Sequence, residues 1–155
     1  MLLPLFDALQ VQHEPAQRLV RFQWLDPYNA KLRPALEYGR DLVLSLKPDL
    51  VLVDFTNLPP LSIADELWMS MYWFPPIAVQ PLQRVGLVAR PEHLHNQMAT
   101  EAMFWVARHL MRFQFQLFDE VCAGLDWLTD GDLITVERLL TEWDEQVAVG
   151  NRHVY

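Results

Sequence analysis

Leu50-Val51-Leu52-Val53-Asp54-Phe55 is the stretch whose reading decides the fold. Apolar side chains occupy both parities until Asp54, as in a strand buried on both faces at the centre of a sheet with helices above and below. Beyond it, Thr56-Asn57-Leu58-Pro59-Pro60-Leu61 can continue neither as helix nor as central strand. Before it, Leu32, Ala35, Leu36, Leu42, Val43 and Leu46 recur at helical spacing, with Lys31, Arg33, Glu37 and Asp41 mostly between them. Asp26-Pro27 suits the start of that helix and Lys47-Pro48 its end, so the pattern predicts a helix over Pro27–Leu46 capped by Asp26.

Further out, Leu9 and Val11 alternate with Gln10 and Gln12, and Val20, Phe22 and Trp24 alternate with Arg21 and Gln23. The polar, proline-bearing link His13–Gln17 joins them, which predicts an antiparallel hairpin with one buried face. Downstream, Ser62 or Asp65 caps a helix that places Ile63, Leu67, Met71 and Phe74 on its core side and stops at Pro75-Pro76. Val85–Ala89 reads as a second buried strand and Asn96–Leu110 as a helix with Ala99, Met103, Val106 and Leu110 on one side. Met111, Phe113, Phe115 and Leu117 alternate with polar residues as a half-buried strand. Asp119 then caps a short helix carrying Val121, Cys122, Leu125 and Leu128. A last amphipathic helix covers Asp132–Val149, with Leu133, Val136, Leu139, Leu140 and Trp143 at helical spacing, ending before Gly150-Asn151. The order β-β-α-β-α-β-α-β-α-α defines an α/β fold: a single mixed sheet, opening with a hairpin and continuing through βαβ units.

A chain of 155 residues fits one domain, here 1–155. Such a domain buries roughly 68–70% of its unfolded surface and needs no disulfide or structural metal. The single cysteine, Cys122, fits a reduced, cytoplasmic setting and reads as core. The start Met1–Asp7 lacks a basic region and is broken by Pro4, unlike a secretory signal. No run reaches the ~20 apolar residues of a membrane span. A formal net charge of −8 argues against nucleic acid and against anionic lipid. No dinucleotide, phosphate-loop, zincin or nucleophile-elbow motif occurs, so neither cofactor nor enzymatic activity is expected.

The element order and several local runs resemble the STAS-like (SpoIIAA-like) superfamily, in an uncharacterised bacterial branch grouped with CRAL-TRIO-like domains. The runs are Tyr38-Gly39-Arg40, Val51–Leu58, Asp65-Glu66-Leu67-Trp68, Arg84–Val88, and Phe118–Leu128 with its Phe-Asp start and Trp-Leu end. The resemblance covers about residues 5–128 and leaves the helix of about 132–149 outside. It implies a regulatory, non-enzymatic domain. In anti-anti-sigma relatives a phosphorylatable serine opens the helix after the central strand, near an aspartate. Asp54 matches that aspartate and Ser62 lies close to the serine's position, but Ile63 occupies the slot itself. As a plain residue, Ser62 reads as a helix N-cap. Asp54 reads either as a cap of the following turn or as a ligand group at the carboxyl edge of the sheet.

His93 and His95 could share a face in extended chain and offer two nitrogens to a metal, but no cysteine completes a set and a surface pair is the simpler reading. The sharpest anomaly is aromatic: Trp68, Tyr72, Trp73 and Phe74 with Met69 and Met71. A helix faces its core with about a third to a half of its surface. With Ile63, Leu67, Met71 and Phe74 filling that face, Trp68, Met69, Tyr72 and Trp73 are left for a partner or ligand surface. Alternatively, the last helix or the Pro75–Leu82 segment folds over them. Three functions follow: a domain contacting a protein partner or a second copy as a homodimer, a binder of a small apolar ligand or lipid beneath the aromatic helix, and an enzyme gathering Asp54, a histidine and Glu66.

Overall fold

The structure, a computed structural model, describes residues 1–26, 31–90 and 94–152. Strand β3 (Leu50–Asp54) lies at the centre of a five-stranded sheet, between β2 (Leu19–Trp24) and β4 (Arg84–Val88), with β1 (Leu9–Glu14) and β5 (Gln114–Phe118) at the edges. β1 runs antiparallel to β2, with Val11 opposite Phe22 and Gln12 opposite Arg21. β2, β3, β4 and β5 are parallel, in sequential order. Single mixed sheet, hairpin and βαβ order are as the sequence predicts. Part of the outer edge of β1 is masked by the first residues: Leu3 N–H donates to Val11 O at 2.9 Å and His13 N–H to Met1 O at 2.8 Å.

The connections from β2 onward are α1 (Leu32–Leu46), then α2 (Ile63–Trp68), a π-helical turn (Met69–Trp73) and α3 (Phe74–Ala78), then α4 (Leu94–Ala107). All pack on one face of the sheet. Leu36, Val43, Phe74, Ile77 and Met103 close over Val20, Phe22, Val51, Val85 and Leu87. The opposite face takes α5 (Val121–Leu128) and α6 (Leu133–Arg152), whose Leu125, Leu128, Val136 and Leu139 pack on Leu19, Leu52 and Val88. The two parities of β3 thus serve two separate apolar clusters, which is why its sequence shows no polar side.

Glycine sets the distance of α5 from the sheet. A β-carbon at Gly124 would stand 2.6 Å from Leu52 Cδ1, and one at Gly86 3.0 Å from the same atom. The fully buried Leu52 therefore fills a slot that exists only because both neighbours lack side chains.

Several expectations need correction. α1 starts at Leu32 with Lys31 at its N-cap. Pro27, the expected first residue, lies outside the described residues, and the carboxylate of Asp7 accepts the Lys31 N–H where Asp26 was expected to cap. The end is as expected: Lys47 adopts the left-handed conformation with φ 49° and donates to Val43 O. The hairpin is buried on both faces, because α6 covers Gln12, Glu14 and Arg21. α4 ends at Ala107; its buried residues are Asn96, Thr100, Met103 and Ala107, whereas Val106, and Leu110 beyond its end, are exposed. β5 is shorter than its alternation suggested. Glu120, not Asp119, is the N-cap of α5, and it makes no side-chain cap bond. Cys122 is exposed rather than core, since Gly124, Leu125 and Leu128 form the inner side of α5. α6 continues through Gly150 to Arg152.

Gly124→Val should destabilise the fold by about 1–3 kcal/mol through overpacking against Leu52, read as a lower midpoint in urea; an unchanged midpoint would mean that the slot can widen.

Candidate functional site

The segment from Ser62 to Ala78 carries most of the residues singled out by the sequence. Ser62 Oγ accepts the Asp65 N–H at 3.1 Å, and the Asp65 carboxylate accepts the Ser62 N–H at 3.4 Å, a reciprocal capping box. Arg33 on α1 donates to the same carboxylate at 3.2 Å and lies over the Trp68 ring at 5.4 Å, tying α2 to α1. Partial burial would by itself raise the Asp65 pKa, but the hydrogen bonds from Ser62 and Arg33 outweigh it and hold the carboxyl below its ordinary value.

After Trp68 the helix widens into the π turn, in which Phe74 N–H reaches back to Met69 O. Pro75 and Pro76 then sit in the first turn of α3, so they extend the helical segment and do not stop it. Proline lacks the N–H and crowds the carbonyl four residues back; the wider turn before it accommodates that conflict. Trp73 points inward, with Nε1–H donating to Leu36 O at 2.7 Å. Phe74 meets Phe104 of α4 edge-on, ring centroids 4.5 Å apart. Met69, Trp73 and Phe74 are buried, and Trp68 is half-buried.

The outward side is as expected at Tyr72 but not at Ile63, Leu67 and Met71, which were expected in the core. Ile63, Leu67 and Met71 are 76%, 57% and 60% exposed, with Tyr72 beside them at 60%. Of the four residues expected at a partner surface, Tyr72 is exposed and Trp68 half-exposed, while Met69 and Trp73 are core. The cause is that this segment is apolar on both sides, so spacing alone cannot choose the inner one. The bond from Trp73 to α1 and the Arg33–Asp65 link turn the Ile63–Leu67–Met71 row outward. α6 lies across the sheet and leaves the row uncovered, and α3 turns its Phe74, Ile77 and Ala78 into the core. Sequence reading placed a helix over Asn96–Leu110 but missed that α4, which packs beside the π turn, exposes Met98, Trp105 and Val106. Its signal was there to find: from Met98 to Ala107 it is apolar almost all round, a pattern that a one-sided surface helix does not need.

The remaining candidates do not converge. Asp54 is buried, and its Oδ1 accepts the Thr56 N–H at 2.8 Å, which is the turn-capping role. It shares a sheet face with Leu52, toward α5 and α6, whereas Ser62 caps a helix of the other layer. The β2–β5 strands run in sequential order with every connection on one face. That arrangement has no point of reversal, and such a point is where open α/β sheets form a ligand crevice. His95 Nε2 lies 3.2 Å from Glu66 Oε1 and 3.1 Å from Leu61 O, at the surface and in the layer opposite the side chain of Asp54. His93 lies outside the described residues. The loop after β3 is pinned by a residue the sequence did not flag. Asn96 Oδ1 accepts the Leu61 N–H at 3.0 Å, and its amide donates to Leu58 O and Pro59 O. Among the described residues no three metal-binding side chains gather, and no helix is long and apolar enough to cross a membrane.

An apolar cavity of about 50 Å³ lies between the sheet and the α1–α3 layer, bordered by Trp24, Leu36, Val53, Phe74, Ile77 and Phe104. A benzene-sized guest needs about 150 Å³.

No protein-family model matches the chain, and no curated protein matches it. Among solved structures, it is similar to an uncharacterised protein of the DUF3478 family with a SpoIIAA-like fold from Shewanella loihica PV-4. The TM-score is 0.52 at 20% sequence identity, over 81% of this chain and 98% of that one. The chain thus has a SpoIIAA-like fold.

Two outcomes are expected at the start of α2. Ser62→Ala should cost about 1 kcal/mol of stability by removing the cap, read from chemical denaturation at neutral pH. Because the folded pKa of Asp65 is depressed, its contribution is present above the unfolded value, about 4, and is lost as pH falls through the lower folded value. Asp65→Asn should therefore flatten the acid limb of the stability curve below about pH 4; an unaltered limb would show that the carboxylate contributes nothing.

Proposed function

We propose that this chain is a non-enzymatic interaction domain that contacts a second copy of itself through the outer side of α2 and the π turn. The observation that carries the reading is the row Ile63, Leu67 and Met71, flanked by Tyr72: large apolar side chains, all more than half exposed, on a segment anchored from its inner side. Scattered exposed hydrophobes are ordinary, but an aligned row on a rigid helix is the composition of a partner surface. The row itself carries no charge, although the chain has a formal net charge of −8. Two copies can meet there without bringing their acidic surfaces together, and a two-fold pairing of identical patches is the commonest form of such contact.

Support for the other readings is weaker. The cavity beneath the aromatic helix is too small for a lipid or a ring-sized ligand. For an enzyme, Asp54 and the His95–Glu66 pair face different layers, so these three side chains do not converge on one reacting group.

Sedimentation over a concentration series should show a monomer–dimer equilibrium. Leu67→Glu combined with Met71→Glu should weaken it at least about a hundredfold, as expected for two central apolar contacts, while changing folding stability by only about 0.5 kcal/mol. A monomer at every concentration, or a dimer indifferent to the two glutamates, would contradict the proposal.

A further inference from the structure

The sheet face beneath α6 holds three of the four buried side-chain polar atoms that lack a hydrogen-bond partner among the described residues, the fourth being Trp24 Nε1 in the opposite layer. Gln12 and Arg21 stand directly opposite each other on β1 and β2 and are 0% and 3% exposed. The Gln12 amide donates to Leu139 O at 2.9 Å and to Glu142 Oε1 at 3.1 Å. Arg21 Nη2 donates to Gln23 Oε1 at 2.6 Å, and the guanidinium lies 3.7 Å from the centre of the Trp143 ring. That leaves Gln12 Oε1 and Arg21 Nε and Nη1 buried without a hydrogen-bond partner among the described residues. Burial drives the Arg21 pKa down to about 10 despite the charges of Asp54 and Asp144, and neither carboxylate forms an ion pair with it.

The apolar hold on this helix lies in its first half, where Val136 and Leu139 join Leu19 and Leu52. Farther along, Trp143 rests on Arg21. The other ties are ion pairs, Arg138 with the buried Glu14 at 2.9 Å and the exposed Met1 amino group with Glu142 at 2.7 Å; the second, at the surface, adds little in water. Closing α6 strips water from a guanidinium and an amide without replacing all of their hydrogen bonds, and opening it returns them to solvent. α5 and the opposite layer do not depend on that seat, since Leu52, Gly86 and Gly124 join α5 to the sheet directly.

We propose that α6 is a displaceable strap, which lifts from the hairpin as a unit before the rest of the domain unfolds and uncovers the polar residues Gln12, Glu14 and Arg21. Amide hydrogen exchange on the intact chain tests this. The amides of α6 should exchange at least about a hundredfold faster than those of β3, reporting a separate opening. Gln12→Met combined with Arg21→Met replaces the unpaired polar groups with apolar ones of similar length and should slow exchange in α6 about tenfold, whereas groups satisfied in the closed state would make the same change accelerate it. Exchange of α6 at the rate of β3, or faster exchange in the double variant, would overturn the proposal. Should that variant not fold, the wild-type ratio of α6 to β3 decides.

Discussion

Everything on one side of this protein depends on a single leucine. Leu52 points from the central strand into the slot left by Gly86 on the neighbouring strand and Gly124 on α5. With α5 drawn down at that point, Leu125 and Leu128 reach the sheet. The turn that follows, with Asp130 and Gly131 at positive φ, then directs α6 across β3 and β2 toward the hairpin. The second layer exists because two residues have no side chain. Its outer half, lying over glutamines and an arginine, has a polar seat where the opposite layer has an apolar one.

That asymmetry places the two features of interest on opposite faces. The α1–α4 layer is held by oriented anchors: the Trp73 indole on the α1 backbone, Arg33 on Asp65, and Asn96 on the loop after β3. These tie α2 and the π turn to their neighbours from the inner side and leave Ile63, Leu67 and Met71 outward. The α6 layer has the reverse character, with a modest apolar grip and unmet hydrogen bonds. A sequential sheet with its connections on one face has no reversal of strand order, the point at which open α/β sheets form a ligand crevice.

How far the sequence could be read follows from where local pattern is sufficient. β3 was legible because burial on both faces leaves no polar parity, and the element order followed from turn residues at each boundary. The hairpin was legible as a hairpin but not as a two-sided one. Alternation marks Gln12 and Arg21 as solvent-facing, and only the course of α6 makes them interior. The clue lay in α6 itself, whose Val136, Leu139 and Trp143 required a seat that the other helices had not taken. α2 failed for a different reason. Both of its sides are apolar, and a helical repeat continued past residue 68 takes no account of the π turn. Inner and outer faces were therefore exchanged, with Ile63, Leu67 and Met71 assigned to the core in place of Met69 and Trp73. Of the four side chains assigned to the outside, Tyr72 is exposed and Trp68 half-exposed, while Met69 and Trp73 are core.

The central claim is that the outward row of α2 meets a second copy of the same surface. Hydroxyl-radical footprinting at low and high protein concentration examines those side chains directly, with Met98 and Met1 as internal references of similar exposure to Met71. Loss of labelling at Met71, Leu67 and Tyr72 as concentration rises, with Met1 unchanged, is the predicted result. Equal labelling of Met71 across the series would contradict it.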